Sequence, residues 1–160
     1  MRTWRLPPEV DTDQLAPGHA MKHGLEVMAR HCLEGVRPEF AHSVRRGDVI
    51  VAGPHFGIGS SREQAASVLV HLGVAAVVAP SYAGLYFRNA FNVGLLLLTC
   101  PRAAEIADGV ALRFDARAGH VTLAGGQKLP IAPIPEFLLQ CVQAGGLLPQ
   151  LKKRFQEKAP

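Results

Sequence analysis

The residues best suited to chemistry lie between positions 53 and 64, where the sequence reads Gly-Pro-His-Phe-Gly-Ile-Gly-Ser-Ser-Arg-Glu-Gln. An apolar run precedes this stretch and apolar residues at helical spacing follow it, so the pattern predicts a glycine-rich turn from a strand into a helix. Free backbone N–H groups and the helix dipole favour an anion at such a turn. Neither nucleotide motif is matched, because no Gly-Lys-Ser/Thr follows the glycines and Arg62 replaces the third glycine of a dinucleotide-binding turn.

Ser60 and Arg62 allow a structural and a functional interpretation. Ser60 and Glu63 have the Ser-x-x-Glu spacing of a capping box, which stabilises a helix by about 1 kcal/mol and needs no function. Arg62 is harder to explain structurally, because a cation in the first turn of a helix opposes the helix dipole. A carboxylate ligand held by the guanidinium would account for it.

Composition limits the classes of protein. The 160 residues are 48% hydrophobic and 19% charged, which predicts one globular domain spanning residues 1–160. The net charge of +4 is modest, and no aromatic residues alternate with the basic ones, so no nucleic-acid surface is expected. The apolar stretches 74–80 and 93–100 fall far short of a membrane span, and no signal-peptide core opens the chain. We therefore expect a cytoplasmic protein that does not associate with membranes.

Metal ligands are not predicted in this chain. Cys32, Cys100 and Cys141 are widely separated and include no Cys-x-x-Cys pair, whereas iron–sulfur sites commonly contain close cysteines. Cys32 and Cys141 fall on apolar helix stripes, where buried thiols are ordinary packing. His19, His23, His31 and Gln64 offer no convincing metal-binding pattern either, and the His-x-x-x-His spacing of His19 and His23 is weak evidence because it falls in a predicted loop.

The predicted elements that position the glycine-rich turn alternate between strands and helices. Strands are predicted at 3–6, 48–53, 74–79 and 95–98, and helices at 25–33, 38–44, 65–72 and 82–91. Uninterrupted apolar strands separated by helices favour parallel pairing. Three short strands at 110–114, 120–124 and 128–131 favour antiparallel pairing, and a helix at 134–142 closes the chain. The predicted fold class is α/β, with a mixed sheet or barrel flanked by helices.

The segment Gly57-x-Gly59-Ser60-Ser61-Arg62-Glu63 closely resembles the signature of the mobile, swivelling domain of the aconitase superfamily. Asp11-Thr12-Asp13 resembles the opening motif of that domain, Pro80–Gly94 a later segment, and residues 135–147 its C-terminal helix. The resemblance covers nearly the whole chain. Length, order and spacing resemble the free-standing small subunits of the superfamily, those of 3-isopropylmalate dehydratase and homoaconitase.

This resemblance implies a hydro-lyase that isomerises a 2-hydroxy acid by dehydration and rehydration, with 2-isopropylmalate of leucine biosynthesis as the leading substrate. It implies a large partner subunit whose 4Fe–4S iron–sulfur cluster acts as a Lewis acid. By the same resemblance Ser60 is the catalytic base, Ser61 a donor near the substrate, and Arg62 the carboxylate clamp. The resemblance also puts Asp13 in the active site, and Gly59 lets the backbone approach the ligand. The glycine-rich amides would have to stabilise the alkoxide form of Ser60.

Departures from the family pattern leave some points open. Gln64 stands where the family has histidine, which removes any proton relay at that position. Lys22 falls in the loop that, in the family, recognises the variable substituent of the substrate. This loop offers apolar contacts in isopropylmalate enzymes and an arginine in homoaconitase relatives. Lys22 therefore either pairs with an additional substrate carboxylate or extends into solvent.

Three further alternatives remain at this stage. Asp11-Thr12-Asp13 followed by Ala16-Pro17-Gly18 predicts a loop, in which Asp13 can be read equally well as an Asx-turn residue. Residues 57–61 could form a phosphate- or nucleotide-binding module that works without a partner. In a non-catalytic assembly protein, Ser60 would serve only as a helix cap. Because Ser60 cannot be fully committed both to capping and to catalysis, the family interpretation predicts an irregular or differently capped helix start.

Overall fold

The structure, a computed structural model, describes residues 1–156 and is built on a parallel sheet. Its four strands lie in sequence order: β1 (Thr3–Arg5), β2 (Val49–Val51), β3 (Ala76–Ala79) and β4 (Leu96–Thr99). In the register of the sheet, Ile50 of β2 pairs with Trp4 of β1 on one side and with Val77 of β3 on the other. Every residue of β2 and β3 is buried, which explains why their sequences are uninterruptedly apolar.

Helices connect the parallel strands. Four helices lie between β1 and β2: α1 (Thr12–Leu15), a 3₁₀ helix at Gly18–His23 (the 18–23 helix), α2 (Leu25–Arg30) and α3 (Phe40–Ser43). Helix α4 (Gln64–His71) follows β2, and helix α5 (Gly84–Asn92) follows β3. The predicted apolar stripe of α4 is buried, and α4 packs against α2 and α5. Because the strands are parallel, the segments that follow β1, β2 and β3 all emerge at the same edge of the sheet.

A second, antiparallel sheet completes the core. It contains β5 (Leu112–Asp115), β6 (His120–Leu123) and β7 (Lys128–Pro130). A 3₁₀ turn at Ala103–Glu105 precedes this sheet, and helices α6 (Glu136–Gln143) and α7 (Leu147–Gln156) follow it. An antiparallel bridge between Arg2 and Ala111 links the two sheets. The predicted α/β class, with parallel and antiparallel strands flanked by helices, is confirmed, and the structure distributes the strands over two sheets. Within residues 1–156, no helix combines the length and apolar character needed to cross a membrane.

The main differences from the sequence prediction lie in the first 33 residues. The predicted loop at 11–13 is instead the start of α1, because Asp11 and Gln14 form a capping box with bonds of 2.7 and 2.9 Å. The helix predicted over 25–33 ends at Arg30. Leu33 then adopts a left-handed conformation with φ of 61° and donates its N–H to the Gln14 carbonyl at 2.8 Å. This tertiary bond competes with continuation of the helix.

Arg37 ties the first strand to the turn at residue 108. Its guanidinium donates to both carboxylate oxygens of Asp108 at 2.7 and 2.8 Å and to the Arg5 carbonyl at 3.0 Å. It also lies over the Trp4 ring. Hydrogen bonding from Arg37 lowers the pKa of the Asp108 carboxyl from its ordinary value of 3.8 to about 2.

We expect Asp108→Asn to lower the free energy of unfolding near pH 7 by about 1 kcal/mol, the scale of a partly exposed ion pair. Because the folded-state pKa is depressed, the carboxylate stabilises the fold above about pH 4, and this contribution is lost as the pH falls towards 2. Urea denaturation of both proteins should therefore show a difference that shrinks between pH 7 and about pH 2.5. Glu26→Gln, which removes an exposed partner of Arg30, is the matched control and should change stability little at neutral pH. An Asp108→Asn difference that is independent of pH would contradict the assignment.

Candidate functional site

The glycine loop, which we define as residues 53–63, lies between the segments that follow β1 and β3. On one side the Gly57 N–H donates to the Val10 carbonyl at 2.7 Å, and the Thr12 N–H donates to the Ile58 carbonyl at 2.8 Å. On the other side the Phe56 N–H donates to the Ser81 carbonyl at 3.1 Å. The loop therefore extends the parallel arrangement past the end of β2. In open α/β sheets, ligands bind outside these carboxyl ends of the strands.

Two glycines make this path possible. Gly57 has a φ of 80°, and a Cβ atom there would lie 2.2 Å from Cγ of Tyr86. Gly59 has a φ of 102°, and a Cβ atom there would lie 2.9 Å from Oγ1 of Thr12. Both positions need a left-handed backbone and have no room for a side chain, so the course of the loop depends on glycine.

Helix α4 begins without a side-chain cap. Its first residue is Gln64, and the N-cap residue Glu63 has helical backbone angles and makes no capping hydrogen bond through its side chain. The capping-box interpretation of Ser60 and Glu63 is therefore wrong, and the irregular helix start expected from the family interpretation is observed. With no capping role, the Ser60 hydroxyl bonds elsewhere.

Ser60 belongs to a polar cluster that joins the glycine loop to α1. The Ser60 Oγ accepts a hydrogen bond from Arg62 Nε at 2.9 Å and lies 3.3 Å from Oγ1 of the buried Thr12. Arg62 Nη1 contacts Asp13 Oδ1 at 2.6 Å and donates to the Ala16 carbonyl at 2.9 Å. The structure thus brings together three of the residues that the sequence selected, Asp13, Ser60 and Arg62.

This geometry lowers the energetic cost of deprotonating the Ser60 hydroxyl. A guanidinium can only donate hydrogen bonds, so the Ser60 oxygen is the acceptor in its contact with Arg62. The positive charge beside that oxygen makes an alkoxide less costly to form than it is in water. The family resemblance implies that backbone amides stabilise the alkoxide, and Arg62 adds a charged donor.

The Arg62 guanidinium is already partly engaged. Its Nε donates to Ser60 Oγ, and its Nη1 donates to the Ala16 carbonyl and forms an ion pair with Asp13 Oδ1 at 2.6 Å. Nη2 makes no hydrogen bond within residues 1–156, so it is the guanidinium nitrogen available to a ligand. A carboxylate can accept a hydrogen bond from Nη2 without other changes. Bidentate binding would require Arg62 to break its contact with Ser60 or with Asp13.

Ser61 and Lys22, which the sequence also indicates, make no side-chain hydrogen bond with this cluster within residues 1–156. Ser61 is exposed, and its carbonyl oxygen accepts a hydrogen bond from Asn89 Nδ2 of α5 at 3.0 Å. Lys22 is exposed in the 18–23 helix and forms no ion pair within the described part of the chain. The roles of both residues remain predictions.

Sequence reasoning missed Thr12, the Ala16 carbonyl and Asn89 as partners. Thr12 lies inside the Asp-Thr-Asp motif, which could have indicated it as a site residue. Its contact with Ser60 joins residues 48 positions apart, so no local pattern predicts that contact. The Ala16 carbonyl is a backbone group, and no side-chain pattern marks it. Only the folded chain shows that Thr12 contacts Ser60, the Ala16 carbonyl contacts Arg62, and Asn89 contacts Ser61.

The cysteines do not fit an iron–sulfur cluster held by this chain. Cys32, Cys100 and Cys141 are buried free thiols, and burial raises the pKa of each. Cluster iron binds thiolates, which this environment disfavours. The Cys141 thiol also donates to the carbonyl of Phe91 at 3.2 Å, as a structural thiol does.

The chain is similar to known proteins in sequence and in fold. The family model described as the aconitase C-terminal domain matches residues 20–103. The chain is 42% identical over 155 residues to 3-isopropylmalate dehydratase small subunit 1 of Methanopyrus kandleri, covering 95% of this chain and 91% of the relative. It is 42% identical over 149 residues to the methanogen homoaconitase small subunit of Methanothermobacter thermautotrophicus, covering 92% and 86%. The crystal structure of 3-isopropylmalate dehydratase from Methanocaldococcus jannaschii superposes with a TM-score of 0.92 at 34% identity, covering 98% of this chain and 95% of that one.

Proposed function

Because the chain belongs to the family of aconitase C-terminal domains, we propose that it is the small subunit of a hydro-lyase that converts 2-isopropylmalate to 3-isopropylmalate. The single observation that carries this proposal is the exposed Ser60 hydroxyl, whose oxygen accepts a charged hydrogen bond from Arg62 at 2.9 Å. The catalytic partner is a large subunit bearing a 4Fe–4S cluster, which supplies a Lewis acid for the departing hydroxyl. A leucine-biosynthetic enzyme of this kind is expected in the cytoplasm.

Each residue of the cluster has a distinct role in the proposal. Ser60 removes the proton from the substrate carbon next to a carboxylate. Arg62 binds that carboxylate through Nη2 while Nε keeps the serine oxygen in place. Asp13 is a positioning residue, because its contact with Nη1 fixes the plane of the guanidinium. Gly59 keeps the loop backbone close to Thr12, and Ser61 offers a hydroxyl to the bound acid.

The exposure of this cluster explains why a partner is required. Ser60, Ser61 and Asp13 all face solvent. Bulk water would solvate the alkoxide and weaken the contact between the guanidinium and a substrate carboxylate. Docking of the large subunit over the cluster would exclude that water and strengthen both interactions. A phosphate-binding module at residues 57–61 is less well supported, because the Gly57 N–H already donates to the Val10 carbonyl at 2.7 Å and is not free for an anion.

Reconstitution tests the proposal. The purified chain and a cluster-loaded large subunit are assayed with 2-isopropylmalate, separately and mixed, by following the ultraviolet absorbance of the unsaturated acid formed on dehydration. We expect turnover only in the mixture, with a maximum at equimolar subunits. Turnover by this chain alone would overturn the proposal, and so would an inactive complex that analytical ultracentrifugation shows to be formed.

A longer 2-hydroxy tricarboxylate is the second candidate substrate. One of the relatives is a homoaconitase small subunit, and the exposed Lys22 ammonium has no ion pair within residues 1–156. A cation beside an isopropyl group would be desolvated without compensation, whereas beside an additional carboxylate it would be paired. Lys22 is therefore the residue that discriminates between the two substrates.

We expect Lys22→Val to lower kcat/KM for a homologous tricarboxylate by about 10-fold, the effect of losing one charged contact of about 1.4 kcal/mol. The same change should leave kcat/KM for 2-isopropylmalate equal or raise it. Steady-state kinetics of the reconstituted enzyme with both substrates measure the ratio. Lys128→Val, at an exposed position of β7, is the matched control. An unchanged substrate ratio would show that Lys22 only extends into solvent.

A further inference from the structure

A second cluster joins the 18–23 helix to the turn after α2. His19 Nε2 lies 3.4 Å from Glu34 Oε1, and His31 Nδ1 lies 2.7 Å from Glu34 Oε2. The two imidazole rings meet edge to face, with their centroids 5.0 Å apart. One ligand atom from each residue lies within 4.8 Å of the other two, and within residues 1–156 no other three His, Cys, Asp or Glu side chains converge in this way.

The donor set suits a particular class of ion. Two imidazoles and one carboxylate are the ligands of many zinc sites, and imidazole also binds copper, nickel and cobalt. With bonds of about 2.0–2.1 Å, neighbouring donors in a tetrahedral site lie about 3.3 Å apart. The separation between His19 and Glu34 already matches this distance. The side chains of His19 and Glu34 are largely exposed, so small rotations can close the remaining gaps.

The backbone holds two of the three residues in place. His31 begins the turn that ends α2, and the Glu34 N–H donates to the His31 carbonyl at 3.2 Å. Between them Leu33 is completely buried and is bonded through its N–H to Gln14 of α1. The third residue, His19, comes from the 18–23 helix. The cluster therefore links a fixed turn to a separate short helix.

We propose that His19, His31 and Glu34 form a binding site for one divalent ion of the zinc class, with a fourth coordination position open to water. Bound metal joins the 18–23 helix to the turn after α2 and thereby fixes the helix that carries Lys22. The sequence did not indicate this site, because the histidine spacing typical of a metal site joins His19 to His23 rather than to His31. In a 3₁₀ helix residues three apart share a face, so these two histidines, four apart, do not.

Metal titration tests the proposal directly. The untagged chain, freed of metal with a chelator, is titrated by calorimetry with zinc chloride near pH 7.5, and with cobalt chloride in a visible-absorption experiment. We expect one ion per chain and the intense visible bands of tetrahedral cobalt. His31→Gln and Glu34→Gln should each lower the zinc affinity by about 10- to 100-fold or more. His42→Gln, at an exposed position of α3, is the matched control and should leave the affinity unchanged.

Limited proteolysis supplies an independent readout that needs no activity. Cleavage after the exposed Lys22 by a lysine-specific protease, followed by mass spectrometry, should slow about 10-fold when zinc is added, because cleavage requires local opening of the helix. The effect should disappear in His31→Gln. Equal zinc affinity in the wild type, His31→Gln and Glu34→Gln would overturn the proposal, as would slowing of cleavage that persists in His31→Gln. Circular dichroism of each variant confirms that it is folded.

Discussion

A reconstituted enzyme that contains Ser60→Ala is expected to lose turnover of 2-isopropylmalate by about 1,000-fold, within the range found when a general base is removed. The methyl group of alanine cannot accept a proton, and within residues 1–156 no other hydroxyl accepts a hydrogen bond from Arg62. Because Arg62 and Asp13 remain, substrate binding should persist, so kcat falls far more than KM rises. Initial rates over a range of substrate concentrations separate the two effects.

The fold should survive this substitution. Ser60 is exposed and does not cap α4, so the melting temperature of the isolated chain should change little. Ser43→Ala, at an exposed position of α3, is the matched control and should retain full turnover. If Ser60→Ala keeps more than about a tenth of the wild-type kcat, Ser60 is not the base.

Gly57→Ala is expected to have the largest effect on stability. The new Cβ atom would lie 2.2 Å from Cγ of Tyr86, and the φ of 80° would be strained for any residue with a side chain. Tyr86 cannot move away easily, because it is 2% exposed and packs edge to face on Phe56. Overpacking and backbone strain together should lower the free energy of unfolding by about 2–4 kcal/mol.

Thermal unfolding should show this loss as a decrease in melting temperature of about 10 °C for a chain of this size. Gly84→Ala, at the first residue of α5, is the matched control because a Cβ atom there meets nothing within 4 Å. We expect that variant to be as stable as the wild type or slightly more stable. An equally stable Gly57→Ala protein would mean that the loop can take another path.

The regular part of the fold could be predicted from sequence because its signals are local. The apolar runs at 49–51, 76–79 and 96–99 form strands as expected, and the stripe from Ala65 to Leu69 faces the core. The helix predicted at 25–33 is confirmed over Leu25–Arg30, but it ends early because of the tertiary bond of Leu33. The loop prediction was wrong at residues 11–13, where capping by Asp11 starts a short helix. The division of the strands between two sheets likewise depends on pairing between distant segments.

The sequence predicted which residues form the candidate site, but not which contacts they make. Ser60, Arg62 and Asp13 could be named from the motifs, and the structure places them in one cluster. The motifs do not show that Arg62 is already held by Asp13 and Ala16, because these partners come from another segment. The motif spacing even favoured a capping box at Ser60, and only the position of the helix start excluded it.

The anchoring of the glycine loop on both sides has a consequence for protein engineering. Its hydrogen bonds reach Val10 and Thr12 in one direction and Ser81 in the other, so the loop owes its shape to neighbours before and after it in the chain. A synthetic peptide that copied residues 53–64 would lack those neighbours and would not present the serine and the arginine in register. Transplanting the motif into another scaffold would require grafting three adjacent strand ends together.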